Sequence, residues 1–243
     1  MIRLVFILLL PLALLGQNNV CFEIAENPNP SIDALALFPK YVNVLDCIHI
    51  YAEQSISDSK VLHAAAIAAE LLDNNEDGII DDENVKNALM DVYTVMPLFA
   101  YEGSDAEEIL FDNFDDLMDN NNFCAGAVLY NNEIDPSSPG FWGNDASVEE
   151  ILHTINACSH VEIYPDVFGL EPNSSEMSDA MDVARGGQFL TIPSNYPEEG
   201  WYHYDDWTCD YECMAMEYLY WCIVANMGLL DNNMICSGIA NEW

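Results

Sequence analysis

Residues 57–72 read SDSKVLHAAAIAAELL, and residues 73–83 continue as DNNEDGIIDDE. In the first segment apolar residues recur at the spacing of one helical face, which predicts an amphipathic helix. The second segment is acidic and contains Gly78, as is typical of a loop. The apolar pattern then resumes and predicts a second helix over residues 82–95. The sequence therefore predicts a helix–loop–helix unit spanning residues 57–95.

The loop carries oxygen-bearing side chains at alternate positions, namely Asp73, Asn75 and Asp77. Calcium is a hard cation that is bound by about six to eight oxygen atoms. Alternate side chains converge on one point only if the chain then turns sharply, and Gly78 permits such a turn. We therefore expect this loop to bind Ca²⁺.

The loop resembles that of the EF-hand family, which runs D-x-[DN]-x-[DN]-G. The resemblance implies that Ile79 supplies its carbonyl and that Asp81 stands at the ninth position. The family has a bidentate Glu at the twelfth position, where this chain has Asn84, and Glu83 lies one residue early. The resemblance thus implies Glu83 as the remaining ligand and a structural role for the ion. The alternative is an Asx-rich turn without an ion.

A second motif reads EEILHT over residues 149–154. It resembles the HExxH helix of zincin metallopeptidases, with Glu149 in place of the first histidine. Positions i and i+4 share one face of a helix, so Glu149 and His153 could both reach one metal while Glu150 polarises a bound water. A predicted strand at residues 125–130 precedes this helix, as an edge strand does in zincins.

The resemblance also implies a third ligand and an oxyanion donor. Zincins with a Glu ligand place it on a downstream helix, which makes Glu217 the candidate and His160 the alternative. Tyr202, His203 and Tyr204 are candidates for the donor, among which we assign His203 a catalytic role. A set of two carboxylates and one imidazole favours a harder ion than two imidazoles would, so Zn²⁺ or another divalent transition metal is implied.

Two structural interpretations compete with the metal site. Ser147-x-x-Glu150 is itself a capping-box pattern, in which Glu150 hydrogen-bonds to the N-cap amide and does no chemistry. His153 would then be a core histidine beneath the helix. Under that interpretation the protein is a non-enzymatic extracellular calcium-binding protein with a degenerate zincin-like helix.

The rest of the chain predicts an α+β protein dominated by helices. Strands are expected at Tyr41–Tyr51 and 125–130, and further helices at 104–117, 147–157, 175–185 and 209–229. Without internal repeats or a linker, residues 17–243 are expected to form one domain, with 125–229 as its zincin-like core. The sequence contains no GxSxG motif, Walker loop or Rossmann fingerprint.

The chain is expected to be secreted. An apolar run follows Arg3, and residues 1–16 have the pattern of a signal peptide that is too short to span a bilayer. The eight cysteines all follow it and predict up to four disulfides in an oxidising compartment, with the pairing left open. They are Cys21, Cys47, Cys124, Cys158, Cys209, Cys213, Cys222 and Cys236.

The charge is strongly acidic, with 42 Asp and Glu against 5 Lys and Arg and a net charge of −37. Such an imbalance excludes nucleic acid and anionic membranes as partners and favours divalent cations. An acidic surface that serves only solubility is the alternative. The chain resembles secreted acidic proteins of no assigned activity. We therefore expect a secreted calcium-binding protein that is also a zincin-like peptidase with a peptide substrate.

Overall fold

The computed structural model describes residues 22–138, 140–230, 237–239 and 242–243 of the chain. The predicted signal peptide, Cys21 and Cys236 lie outside the described residues. The described chain is an α+β protein with a small mixed sheet, as predicted.

The sheet has five strands in the order β1-β2-β3-β4-β5. Its strands are β1 (Ala25–Glu26), β2 (Lys40–Val44), β3 (Ile48–Ala52), β4 (Thr94–Phe99) and β5 (Leu129–Tyr130). β2 pairs antiparallel with β1 and β3, whereas β4 runs parallel to both β3 and β5. Every residue of β4 is buried, so this strand lies at the centre of the protein.

The single strand predicted at Tyr41–Tyr51 is wrong, because this stretch forms the β2–β3 hairpin. The reversal occurs at Leu45 and Asp46, which adopt left-handed backbone conformations with φ of 49° and 64°. Neither residue is a glycine, and Leu rarely adopts a positive φ. The sequence therefore carries no ordinary turn signal at this point.

The main helices are α1 (Asp58–Leu72), α2 (Glu83–Asp91), α3 (Asp105–Asp112), α4 (Phe114–Asn121), α5 (Ser147–Ile155), α8 (Glu176–Arg185) and α9 (Tyr211–Asn226). Two shorter helices, α6 (Val161–Ile163) and α7 (Pro165–Phe168), follow α5. The predicted helix–loop–helix is present as α1 and α2. The carboxylate of Asp82 caps α2 by accepting hydrogen bonds from the amides of Asn84 and Val85.

Three predicted boundaries differ from the structure. The helix expected over 104–117 is divided into α3 and α4 at Asn113, whose side chain donates a hydrogen bond to Ile109 O. The strand expected over 125–130 is reduced to the two residues of β5. Helix α5 continues beyond its end as a π-helical turn at Asn156–His160.

Two disulfides join described cysteines, which is consistent with an oxidising environment. Cys124–Cys158 ties the segment before β5 to the π-helical turn, and Cys209–Cys213 spans the start of α9. Cys47 and Cys222 form no disulfide with a described cysteine. Within the described ranges no helix has the length and apolar character required to cross a membrane.

Helix α5 lies between two hydrophobic clusters and thereby positions the site described next. Ile151 and Ile155 pack into the cluster formed by the sheet, α1 and α2. Leu152 packs instead into a cluster built mainly from α8 and α9. The remaining part of the α5 surface is directed toward α9 and carries polar side chains.

Candidate functional site

Helices α5 and α9 bring four acid and imidazole side chains together. His153 Nδ1 lies 3.7 Å from Glu150 Oε2, and His153 Nε2 lies 3.9 Å from Glu217 Oε1. Glu149 and Glu217 are hydrogen-bonded through their carboxyl groups. The structure thus places all four side chains that the zincin resemblance implied, Glu149, Glu150, His153 and Glu217, in one site.

The site is buried, and His153 is only 6% exposed and Glu217 only 9%. His153 Nε2 is buried without a hydrogen-bond partner in the described structure. Buried polar atoms are almost always satisfied, so an unpaired ring nitrogen directed at a carboxylate calls for an explanation. A bound cation or a shared proton would supply the missing partner.

Burial dominates the electrostatics of the two interacting carboxyls. Desolvation, reinforced by the charges of Glu217 and Glu150, raises the pKa of Glu149 to about 8. Desolvation also raises the pKa of Glu217, although His153 opposes the shift. The hydrogen bond between Glu149 and Glu217 favours a proton on Glu149. The surroundings of the pair therefore favour protonation, first on Glu149.

The surroundings of His153 favour its charged form, whereas those of Glu149 and Glu217 favour the neutral form. Desolvation lowers the pKa of His153, but the nearby carboxylates of Glu150, Glu217 and Glu149 together raise it above the ordinary value. In the described structure no Lys or Arg forms an ion pair with Glu149, Glu150 or Glu217. The carboxylates consequently depend on protons, or on an added cation, for charge compensation.

A cavity of about 490 Å³ opens onto this site. It is lined by Leu110, Phe111, Phe114, Ala125, Gly126, Ala127, Val128, Glu150, His153, Cys213, Met216 and Glu217. The segment 125–128 lies directly on α5, because a Cβ added at Gly126 would stand 2.8 Å from both Thr154 Cα and Ala157 Cβ. Only glycine allows this approach, which brings the segment beside the glutamates.

The donor set fits a divalent metal, although the side chains are not arranged around one point. Among the described residues no group of three or more His, Cys, Asp or Glu side chains has the geometry to hold a metal ion. Two ligand atoms that are each about 2.1 Å from zinc are at most about 4.2 Å apart. The 3.9 Å between His153 Nε2 and Glu217 Oε1 satisfies that limit with a wide angle. Metal binding would also require Glu149 and Glu217 to exchange their hydrogen bond for ligand bonds.

The capping-box interpretation of Glu150 is wrong. Helix α5 begins after Ala146, and no side-chain cap hydrogen bond is formed there. The carboxylate of Asp145 instead accepts hydrogen bonds from Ser147 N at 3.1 Å and Ser147 Oγ at 2.6 Å. Glu150 is therefore free of a capping role, and its side chain lines the cavity.

The other predicted site residues divide between this cavity and the rest of the molecule. His203 Nε2 is hydrogen-bonded to Gly200 O at 2.9 Å, and His203 does not line the cavity. Tyr202 donates to Met214 O, whereas Tyr204 lies near Glu217 and Glu149, and burial together with their charges raises the pKa of its hydroxyl. Tyr204 is thus the member of the aromatic trio that reaches the site.

His160, the alternative third ligand, lines a different cavity. Its ring stacks on Phe168, and it faces the calcium-loop residues Asp81 and Asp82 in a small cavity of about 150 Å³. Of the two candidates for a third ligand, only Glu217 lies beside His153. The cavity walls from α3 and α4 were not predicted, because they come from a part of the sequence about forty residues before the motif.

The predicted calcium loop connects α1 to α2 and is held in shape by its own carboxylates. Asp73, only 4% exposed, accepts hydrogen bonds from Asp77 N at 3.2 Å and Gly78 N at 2.6 Å. Gly78 adopts the left-handed conformation, with φ of 82°. The side chain of Asp77 then accepts from Ile79 N at 2.9 Å. The turn required for convergent ligands is therefore formed.

The later residues of the loop, Asp81, Glu83 and Asn84, make different contacts. Asp81 accepts from Asn74 N at 2.9 Å and from Asn75 Nδ2 at 3.3 Å. Glu83 is exposed in the first turn of α2, and the side chain of Asn84 donates to the Tyr164 hydroxyl instead of facing the loop. The side chains of Asp73, Asn75, Asp77 and Asp81 thus bond to groups within the loop, and its twelfth position carries no carboxylate.

Comparison with known proteins adds no identity to this geometry. No protein-family model, no curated protein and no solved structure matches the chain.

Proposed function

We propose that the protein is a secreted, metal-dependent hydrolase of peptides. Glu149, His153 and Glu217 would hold a divalent transition metal, and Glu150 would act as the general base. The observation that carries the proposal is the buried imidazole of His153, whose unpartnered Nε2 lies 3.9 Å from Glu217 and whose Nδ1 lies 3.7 Å from Glu150, without a Lys or Arg counter-charge among the described residues. Buried charges of this kind are stable only when they are paired or bind a metal.

Each side chain has a role that its position supports. The imidazole of His153 and the carboxylates of Glu149 and Glu217 are donors suited to a zinc-like or somewhat harder ion. A bound metal would supply a polarised water and stabilise developing negative charge. Glu150 lines the cavity on the helix that carries two of the ligands, so its carboxylate can accept the proton of that water. Tyr204 lies beside Glu217, where its hydroxyl can orient that carboxylate.

The segment beside the glutamates favours an extended peptide as substrate. Residues 125–127 make no backbone hydrogen bond with the described chain, although they continue directly into β5. Free amide and carbonyl groups next to a strand can pair with an added strand, which is a common mode of peptide recognition. Such pairing would lay a peptide bond across the mouth of the cavity near Glu150.

We also propose that the loop between α1 and α2 binds calcium and stabilises the fold. The buried Asp73, the turn at Gly78 and the exposed carboxylates of Asp77 and Asp81 support this role. The second candidate function, a non-enzymatic extracellular calcium-binding protein, depends on this loop alone. It requires that the buried site hold protons instead of a metal.

Metal content separates the two candidates. Protein purified without chelator, and then dialysed against zinc or manganese, should retain about one equivalent of transition metal by mass spectrometry. His153→Ala should lose it, since the only imidazole of the proposed site is removed. His203→Ala is the matched control and should keep the metal, because His203 does not line the cavity. Wild-type protein that takes up no transition metal would contradict the hydrolase proposal.

A further inference from the structure

We infer that the cavity beside Glu150 selects peptides with a large apolar side chain next to the cleaved bond. This inference rests on the proposed function, since it assigns a substrate class to the same site. It concerns a different set of residues, the walls contributed by α3, α4, α9 and the segment before β5. We call these walls, formed by Leu110, Phe111, Phe114, Val128 and Met216, the apolar cleft.

The cleft presents hydrophobic surface to an incoming ligand. Leu110 is 2% exposed and forms its base, whereas Phe111 is 51% exposed. Helices α3 and α4 meet at Asn113, and this break directs Phe111 and Phe114 to the same cavity. An aromatic ring that is half exposed beside a cavity gains stability when a ligand removes it from water.

Polar groups are confined to one part of the cavity. The titratable side chains in its wall are Glu150, His153 and Glu217, which also belong to the proposed catalytic site. An acidic side chain in the cleft would meet these carboxylates and the net charge of −37 carried by the chain. Charge complementarity therefore excludes Asp and Glu as occupants and favours neutral side chains.

The size of the cavity agrees with a large occupant. Its volume of about 490 Å³ lies within the roughly 300–1,000 Å³ that is usual for ligand sites. A glycine or alanine side chain would leave most of the cleft filled with water. Leu or Phe would displace that water from the apolar walls, which is the main source of selectivity in hydrophobic pockets.

Two observations favour a peptide side chain, and not a free lipid, as the occupant of the cleft. The unpaired backbone of residues 125–127 lies along the cleft and can hydrogen-bond to a peptide main chain. The carboxylates at its polar end would repel the carboxylate of a fatty acid. The cleft consequently suits an uncharged side chain that is attached to an extended main chain.

The test uses the metal-loaded protein and blocked neutral peptides that differ at one residue, which is Ala, Leu, Phe or Glu. We expect kcat/KM to rise from Ala to Leu and Phe by a factor on the order of 10 to 200. One methylene group has an effect of about this size in a hydrophobic pocket. The Glu peptide should be the poorest substrate. Cleavage with equal efficiency for Ala and Phe, or fastest for Glu, would overturn the inference and leave the proposed function standing.

Variants test whether the residues of the apolar cleft cause the preference for large apolar side chains. Phe111→Ala should reduce the ratio of kcat/KM for Phe over Ala by about tenfold or more, with a melting temperature close to that of the wild type because Phe111 is half exposed. Val183→Ala is the matched control, since Val183 is 74% exposed on α8 and does not line the cavity. An unchanged ratio in Phe111→Ala would contradict the inference.

A binding measurement separates failure of this inference from failure of the proposed function. Glu150→Gln should bind the Phe peptide at least about tenfold more tightly than the Ala peptide in calorimetry, without turning either over. If the wild type binds no metal and cleaves no peptide, a retained preference in binding would still support the cleft. Equal binding of the two peptides, or tighter binding of a fatty acid than of either, would overturn it.

Discussion

The two acidic regions of this protein treat their carboxylates in opposite ways. In the loop between α1 and α2, Asp73, Asp77 and Asp81 accept hydrogen bonds from nearby backbone amides, and most of the loop is exposed. Between α5 and α9, Glu149 and Glu217 are buried against one another and a histidine. Local backbone donors organise the first region, and only tertiary packing assembles the second.

The comparison shows that acidic side chains behave differently when they lie in a loop organised by backbone amides and when they are packed between two helices. The carboxylates of Asp77 and Asp81 are solvated, and the positions of the loop carboxylates are fixed by the turn at Gly78, so ion binding there needs little rearrangement. The buried carboxyls carry a desolvation cost that raises their pKa values, and that cost is relieved by a proton or a metal. We therefore expect the loop to govern stability and the buried site to govern chemistry.

The largest effect that would sharpen this comparison is a loss of activity in Glu150→Gln. Loss of the general base should lower kcat by about 10²- to 10⁴-fold with metal content unchanged, because Glu150 is not a proposed ligand. Turnover and bound metal are measured on the same preparation. Glu176→Gln is the control, since Glu176 also lies in the first turn of a helix but is exposed on α8. Equal activity of both variants would remove Glu150 from the mechanism.

The next effect concerns the pH dependence of metal-free stability. Burial raises the pKa of Glu149 from its ordinary 4.5 to about 8, so the native state holds a proton that the unfolded state releases. The contribution of Glu149 to the free energy of unfolding should thus be fully present below about pH 4.5 and decline as the pH rises toward 8, by at most about 1.4 kcal/mol per pH unit. Glu149→Gln should flatten this decline.

Urea unfolding of chelator-treated protein across this pH range measures the effect. Asp179→Asn, on the exposed face of α8, serves as the control and should keep the wild-type decline. A metal-free wild type whose stability declined no more steeply between about pH 4.5 and pH 8 than that of Glu149→Gln would show that Glu149 is not held protonated by burial.

Calcium removal should have a smaller effect, which is confined to the loop. A ligand that binds only the native state adds about 2.7 kcal/mol at a hundredfold excess over its Kd. Chelation should therefore lower the melting temperature of the wild type. Asp77→Ala should melt at the same temperature with and without calcium, whereas Asp179→Ala should respond as the wild type does. If chelator left the melting temperature of the wild type unchanged, the proposal that calcium stabilises the fold through the loop would be contradicted.

The smallest effect is that of salt. Raising the ionic strength from about 0.1 M to about 1 M shortens the screening length from roughly 10 Å to roughly 3 Å and acts on exposed charges. In calcium-free protein this screening should weaken repulsion among the loop carboxylates and raise the free energy of unfolding by less than about 1 kcal/mol. The pH-dependent decline caused by Glu149 should persist at high salt, because its carboxyl is buried. A decline abolished by salt would indicate a solvated carboxylate.

Sequence reasoning succeeded where the signals are local. The α1–loop–α2 unit follows from apolar spacing, a cluster of Asx residues and Gly78, all within about thirty-five residues. Helix α8 ends at Arg185 before a left-handed Gly186, at the end predicted for the helix over residues 175–185. The gathering of Glu149, His153 and Glu217 was implied by resemblance, since spacing alone places only the first two on one face.

The predictions failed where tertiary packing decides the structure. β4 was absent from the predicted strands, because Pro97 interrupts its pattern and the preceding helix was extended to residue 95. β4 nevertheless pairs with β3 on one side and with β5 on the other. The capping role of Glu150 failed because Asp145, buried by its contact with His63, already occupies the start of α5.

That contact joins the two acidic regions mechanically. The fully buried carboxylate of Asp145 lies 2.6 Å from His63 Nε2 on α1 and also fixes Ser147 at the start of α5. The helix that ends in the loop is thereby bonded to the helix that carries the glutamates. Native-state hydrogen exchange should consequently find the amides of α1 and α5 in one cooperative opening unit, which calcium slows in both helices together.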